Sequence, residues 1–440
     1  MGVGNGVGSG IGIGRITGAI SGGLSDGLEL SARVLALPWL LGLRWAGAFG
    51  AAGRGSMPEA RRSAALALKV AADELFLATE MVSGALLLRS DDRRRLAREI
   101  AAAHGLFARR GWLAHPVSYH RTPPPLLSVD ERPAPLGRLP FRHARFESGY
   151  APHAGEPGRT RWARYAANRT VHAWLLRHKG VSRPWVVCVP GFRMGYRLVD
   201  ATAFRARWLH QRLGLNVAVF TMPFHGPRRV GRRSGDGYLS GNFVDTLHAQ
   251  AQAVWDLRRL VGWLRREGAP AIGVHGISLG GYTAALLAAL EPDLDAVVAG
   301  IPASCFVGLA RRHVPPGVAA LLDRAGFPLE RIEEVLRVVS PLAMPVRVPR
   351  ERRFLYAGTA DRLAPPEQAW SLWRHWERPH VTWYHGSHVS FLVEPAVHAL
   401  LRDSLGALGD GPAPGAERNR PAPTRRRAVL ARAHWRAVPG

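Results

Sequence analysis

A chain of 440 residues with an apolar share of 47% can bury a sizeable core, either as one large domain with additions or as two domains. Its formal net charge of +26 is nearly all arginine, because Lys69 and Lys179 are the only lysines. Those arginines are scattered, without zinc-finger, helix-turn-helix or aromatic-plus-basic patterns, which excludes nucleic acid as a leading partner. Cys188 and Cys305 are the only cysteines and stand in apolar surroundings, so a disulfide framework and a cysteine-rich metal site are excluded and a reducing, cytoplasmic compartment fits best.

In chain order, residues 1–28 open with Met1-Gly2-Val3-Gly4-Asn5-Gly6, a composition whose backbone entropy is costly to fix, and disorder is predicted there. From Leu28 to Gly53 the chain turns apolar, but Pro38 and Arg44 interrupt it and no uncharged run reaches the roughly 18 residues a membrane span needs. It reads as a helix packed on the main domain, with peripheral membrane contact through residues 33–52 as the competing reading. Leu66, Val70, Leu75, Leu77 and Met81 predict a helix within 58–89, and Leu96, Ile100 and Leu106 a second within 91–110, opened by Asp91-Asp92. Together they read as a helical hairpin. Pro116, Pro123, Pro124, Pro125, Pro133 and Pro135 then mark a connector, so that 29–140 forms a helical region and linker. The main domain is expected over 141–408, and 409–440 as a basic disordered tail.

Strands are predicted near Ala144–Ser148 and Thr170–Leu176, then at Trp185-Val186-Val187-Cys188-Val189, whose continuous apolar run suits a strand covered on both faces. That strand ends in Pro190-Gly191-Phe192, where a glycine lets the backbone approach a neighbouring strand end and offer the Phe192 N–H. A helix near Ala201–Leu213, a strand at Asn216–Phe220 and a long helix from about Asp245 to Arg266 follow. Alternating strands and helices imply a mostly parallel, doubly wound sheet, with functional groups gathered at strand C-termini. The loop arginines Arg228, Arg229, Arg232 and Arg233 read as a solvated basic loop, or alternatively as a clamp for anionic substrates. His225 has no second ligand at metal-binding spacing and reads as a loop-packing residue.

The most informative stretch is Ala271–Leu287, a buried strand, a turn and a small-residue helix, with Gly276-x-Ser278-x-Gly280 at the turn. A serine on such a strained strand-to-helix elbow projects its hydroxyl above the sheet edge, and crowding leaves no room for side chains two positions to either side. The helix that follows points its N-terminal N–H groups, Leu279 nearest, at the place where an oxyanion would form. Ala296–Gly300 is the next strand, and 303–348 a partly helical insertion read as a cap. The strand Arg353–Gly358 precedes Asp361, and Val381–Tyr384 precedes His385 and His388. Asp323 is the other acid in reach, on what reads as a solvated helix face.

The order Ser278, Asp361, His388, each just after a strand, together with Pro190-Gly191-Phe192, resembles the α/β-hydrolases over about residues 141–408. Pro223–Arg229 and His275–Tyr282 further resemble a poorly characterised branch of α/β-hydrolase-domain proteins. The resemblance implies a Ser-His-Asp triad of Ser278, His388 and Asp361, with His388 preferred over His385 by its place in the pattern. It also implies an oxyanion hole of the Leu279 and Phe192 N–H groups, an acyl-serine intermediate, a small-molecule or lipid-like ester as substrate, and neither cofactor nor metal. An acyltransferase or an amidase or peptidase would use the same triad, and an inactive domain would act as a binding scaffold. Pro190 stands where many members carry histidine before the oxyanion glycine, a departure that bears on substrate class.

Overall fold

The computed structural model describes residues 57–61, 63–82, 90–239, 242–313 and 329–409. The glycine-rich start, the 33–52 segment, Asp323 and the tail from 410 onward lie outside them. Among the described residues nine strands form one sheet: β1 (Asp130–Pro133), β2 (Arg142–Glu147), β3 (Thr170–Leu176), β4 (Trp185–Val189), β5 (Asn216–Phe220), β6 (Ile272–Ile277), β7 (Ala296–Gly300), β8 (Arg353–Gly358) and β9 (His380–Tyr384). Their order is β1-β2-β3-β5-β4-β6-β7-β8-β9. The β1–β2, β2–β3 and β3–β5 junctions are antiparallel and the remaining five parallel.

Every residue of β4, β5, β6 and β7 is buried, as their mostly apolar and small residues suit in a sheet covered by helices on both faces. One face packs the helix Phe243–Arg266 through Leu247, Ala251, Val254, Leu257, Val261 and Leu264 against a core that includes Val187 and Val274. That helix starts where the Asn242 side chain accepts from the Asp245 N–H at 3.3 Å, a cap that occupies one of the orphan donors. The other face carries Val186, Val217 and Val298 against Leu209, Leu400 and Leu405. Register aligns the functional edge: Val189 pairs with Gly276, Ile277 with Gly300, and Gly358 with Tyr384.

Three expectations change. The boundary at 141 falls between two paired strands, because Asp130–Pro133 lies inside the proline-rich connector as an edge strand, where a missing N–H is tolerated. The described part of 303–348, expected as a cap, contributes to the main core: Ile332, Val335, Leu336, Val338, Val339, Met344 and Val348 are buried in the same core as Leu96, Ile100 and Phe107. The two N-terminal helices, Ala64–Val82 and Ser90–Arg109, also have different docking partners, which a simple hairpin does not anticipate. The second packs on Leu329–Leu336 and Phe243–Arg266, the first on the loop after β9. Leu75, expected on the inner stripe of the first helix, is 68% exposed, whereas Asp73 and Glu74 are buried.

Candidate active site

Within 271–290, Ser278 alone keeps partial access to solvent. It stands between β6 and the helix Leu279–Ala288 at φ 58° and ψ −114°, a positive-φ backbone that a residue with a Cβ adopts only where its surroundings enforce it. The enforcement is visible on both sides. The Ser278 N–H donates to Gly300 O at 2.9 Å, and its carbonyl accepts from Tyr282 at 3.0 Å and Ala303 at 3.3 Å. A Cβ at Gly276 would sit 2.0 Å from Gly280 O, and one at Gly280 would sit 1.8 Å from Val189 O. The sequence places glycine at both positions because nothing larger fits.

The Pro190-Gly191-Phe192 loop closes against this elbow. A Cβ at Gly191 would meet Ile277 O at 3.1 Å and Ser278 Cβ at 3.3 Å, so the loop backbone runs beside the serine. Among the described residues, neither the Phe192 nor the Leu279 N–H has a hydrogen-bond acceptor. The next residue, Arg193, adopts φ 68° and donates to Glu80 Oε2 at 2.6 Å, Asp236 Oδ1 at 2.6 Å and Ser234 O at 2.9 Å.

Off the ends of β8 and β9, the His388 ring donates from Nδ1 to Asp361 Oδ2 at 2.6 Å, with both side chains buried. Asp361 Oδ1 accepts from the N–H groups of Leu363 at 2.9 Å and Ala364 at 2.8 Å, which aims the other oxygen at the ring. A proton on Nδ1 leaves Nε2 as the acceptor. Burial alone would lower the His388 pKa; the Asp361 charge, the hydrogen bond to it and the Asp73 charge outweigh burial and hold it above the ordinary histidine value. Burial raises the Asp361 carboxyl, against the opposing pull of His388. His385 is exposed, and its carbonyl accepts from Lys69 Nζ at 3.1 Å. No hydrogen bond joins Ser278 Oγ to His388 among the described residues, and such contacts commonly tighten only around substrate.

The arginine loop is not a cluster. Arg228 is fully buried, donating to Asp256 Oδ2 at 2.8 Å and to Thr221 O and Asn168 O at 3.0 Å each. Arg233 pairs with Glu80 at 2.6 Å, while Arg229 and Arg232 are exposed. A four-guanidinium clamp is therefore not formed. His225 is buried and donates from Nδ1 to Pro223 O at 2.8 Å, and burial lowers its pKa to about 4. Among the described residues, no group of three or more His, Cys, Asp or Glu could hold a metal ion. No described helix is long and apolar enough to cross a membrane.

Sequence reasoning missed Asp73. Its Oδ2 accepts from the N–H groups of His388 at 2.8 Å and Arg362 at 2.9 Å, and its Oδ1 from Val389 at 3.1 Å. The legible signal was its position, since 66, 70, 73 and 74 share one helical stripe and Leu66 and Val70 are the buried apolar members.

No protein-family model matches the chain. Among solved structures, it is similar to acetyl xylan esterase 1 from Thermoanaerobacterium sp. JW/SL YS485, at 15% identity, with a TM-score of 0.49 and coverage of 68% of this chain and 93% of that one. It is also similar to the acetyl xylan esterase from Paenibacillus sp. R4, at 15% identity, with a TM-score of 0.47 and coverage of 67% and 98%. Likeness at this level has no bearing on activity, and the fold assignment stands on strand order and the elbow. In sequence, the chain is 39% identical over 372 residues to Uncharacterized protein MT2702 of Mycobacterium tuberculosis (strain CDC 1551 / Oshkosh), covering 83% of this chain and 88% of that protein. Uncharacterized protein Rv2627c of Mycobacterium tuberculosis (strain ATCC 25618 / H37Rv) matches with the same identity and coverage. The chain belongs to the family of these two mycobacterial proteins and has the α/β-hydrolase fold.

Proposed function

We propose that the protein is a serine hydrolase that cleaves a carboxylic ester through an acyl-serine intermediate. The observation that carries the reading is the 2.6 Å bond between His388 and Asp361, on the sheet edge where Ser278 is held at φ 58°. A serine hydroxyl is a weak nucleophile at neutral pH and needs a base to take its proton. In this reading Ser278 Oγ attacks the ester carbonyl while His388 Nε2 takes the proton, and Asp361 fixes the tautomer and stabilises the imidazolium. The N–H groups of Leu279 and Phe192 hold the tetrahedral oxyanion, a role favoured by their lack of other acceptors among the described residues. His388 then protonates the leaving alcohol, and water repeats the sequence on the acyl-serine. No cofactor takes part, and the substrate is a small-molecule or lipid-like ester.

A fluorophosphonate probe and a p-nitrophenyl ester test this directly. Wild type is expected to label on Ser278 and to turn over, and Ser278→Ala to lose labelling and roughly 10⁴-fold or more of the rate. An alanine variant that hydrolyses the ester as fast as wild type would end the reading.

A further inference from the structure

The helix Ala64–Val82 buries carboxylates beside Leu66, Val70 and Ala78 on its inner face. Leu68 and Leu75 face solvent at 76% and 68% exposure, while Asp73, Glu74 and Glu80 are turned inward and buried. These groups and the half-buried Lys69 meet loops at the C-terminal edge of the sheet. Lys69 Nζ donates to Glu394 at 2.5 Å in the segment after β9, and Glu74 accepts from Arg362 Nε at 2.8 Å beside Asp361. Glu80 accepts from Arg193 at 2.6 Å, directly after Phe192.

We propose that Asp73 is a positioning residue for the acid and the histidine, so that the site is fully ordered only when the N-terminal helix is docked. This role rests on the hydrolase reading above. One carboxylate, fully buried, ties the backbone of His388 and Val389 to that of Arg362, the residue after Asp361. Past the last strand pair the two loops share only Thr359 N–H to Tyr384 O at 2.9 Å and Ala360 N–H to Gly386 O at 3.0 Å among backbone–backbone bonds. The Asp73 bridge therefore fixes the separation across which His388 and Asp361 meet. Bonds from N–H groups to an ionised acceptor are the strong kind, and three on one side chain define its place closely. An amide at this position keeps the size but turns an N–H₂ toward one of the backbone donors, leaving it unpaired.

The charges around His388 come from three elements. Asp361 follows β8, Asp73 lies on the helix, and the Arg362–Glu74 and Lys69–Glu394 pairs flank them. Asp73 and Asp361 both favour the imidazolium, so removing the Asp73 charge moves the His388 titration to lower pH. The Nδ1–H resonance reports the Asp361–His388 bond itself and so separates loss of positioning from loss of a nearby charge.

The test uses the full chain with Asp73→Asn, Asp73→Glu and, on the exposed side of the same helix, Leu75→Ser. Thermal unfolding, p-nitrophenyl acetate kinetics per fluorophosphonate-labelled site, and a histidine NMR titration that follows His388 and its Nδ1–H resonance are measured. Asp73→Asn is expected to lower kcat by about 10²-fold with KM changed less than about threefold, because a small misplacement of reacting groups costs about that much. It also shifts the His388 titration downward and weakens the Nδ1–H signal. Asp73→Glu recovers part of each, and Leu75→Ser matches wild type. Wild-type kcat per site and an unmoved titration in Asp73→Asn would overturn the proposal. If Asp73→Asn does not fold, the same result in Asp73→Glu would overturn it. A wild type that neither labels nor turns over refutes the hydrolase reading instead; the Nδ1–H signal in Asp73→Asn still decides whether Asp73 holds the Asp361–His388 pair.

Discussion

Substituting Gly280 with alanine tests the elbow more sharply than removing the serine, because it leaves every reacting group in the chain. The new Cβ would lie 1.8 Å from Val189 O, 2.6 Å from Val189 C and 2.8 Å from Pro190 O. Ordinary contact needs more than 3 Å, so the start of the elbow helix and the end of β4 must separate by over an ångström. The contacted atoms are backbone of a fully buried central strand, which has no flexible end to swing away. Overpacking a core typically costs about 1–3 kcal/mol, and this site belongs at or above the upper end. Activity should fall further, because the same movement carries Gly191 away from Ser278. Gly262, inside the helix Phe243–Arg266, is the control: its added Cβ meets only Arg266 Nη1 at 3.9 Å. Alanine there is expected to gain about 0.5–1 kcal/mol. Urea unfolding gives both free energies, and p-nitrophenyl ester hydrolysis gives the activity. If Gly280→Ala proves as stable and active as wild type, the elbow is not packed as described and the strain argument for Ser278 fails with it.

The raised His388 pKa means that the neutral base forms only above the usual histidine value of 6.5, so the acid limb of kcat/KM is expected above that pH, and a limb below it would contradict the assignment of His388 as base. The same folded-state shift stabilises the protein below the unfolded pKa, a contribution lost as pH rises through the folded value; the stability difference between wild type and His388→Gln should shrink in that direction in a pH series of urea unfolding curves. The Arg228–Asp256 pair has no exposure on either side. Asp256→Asn, which leaves a buried guanidinium without its counter-charge, is expected to lose about 3–5 kcal/mol of stability, while Arg228→Met with Asp256→Leu should cost far less; equal losses would mean the pair is not desolvated.

The mostly parallel sheet and the strained strand-to-helix turn at Ser278 were legible because their physics is local. An apolar run such as Trp185–Val189 can only be a covered strand in this alternating pattern, and Gly276 and Gly280 are forced by contacts within a few residues of Ser278 or with the strand beside it. Where a function depends on a partner far along the chain, sequence gives residue type without direction. Arg228 reads as one of four loop cations, yet it is a core ion pair with a residue 28 positions away. Asp130–Pro133 reads as linker because proline is scarce in strands, and only its edge position resolves that conflict. Asp73 is the extreme case: the His388 N–H it accepts from is 315 positions away. Yet its placement carried a signal. A carboxylate on the buried stripe set by Leu66 and Val70 is expensive unless it meets donors, and here it accepts from the backbone N–H groups of the loops where the strands end. Reading Leu75 as the inner residue followed hydrophobicity; reading Asp73 there follows from the cost of leaving loop donors unsatisfied, which outweighs the gain from burying one leucine. In this helix the docking face carries Asp73, Glu74 and Glu80 beside Leu66 and Val70, and those carboxylates are what meets the loops bearing Phe192, Asp361 and His388.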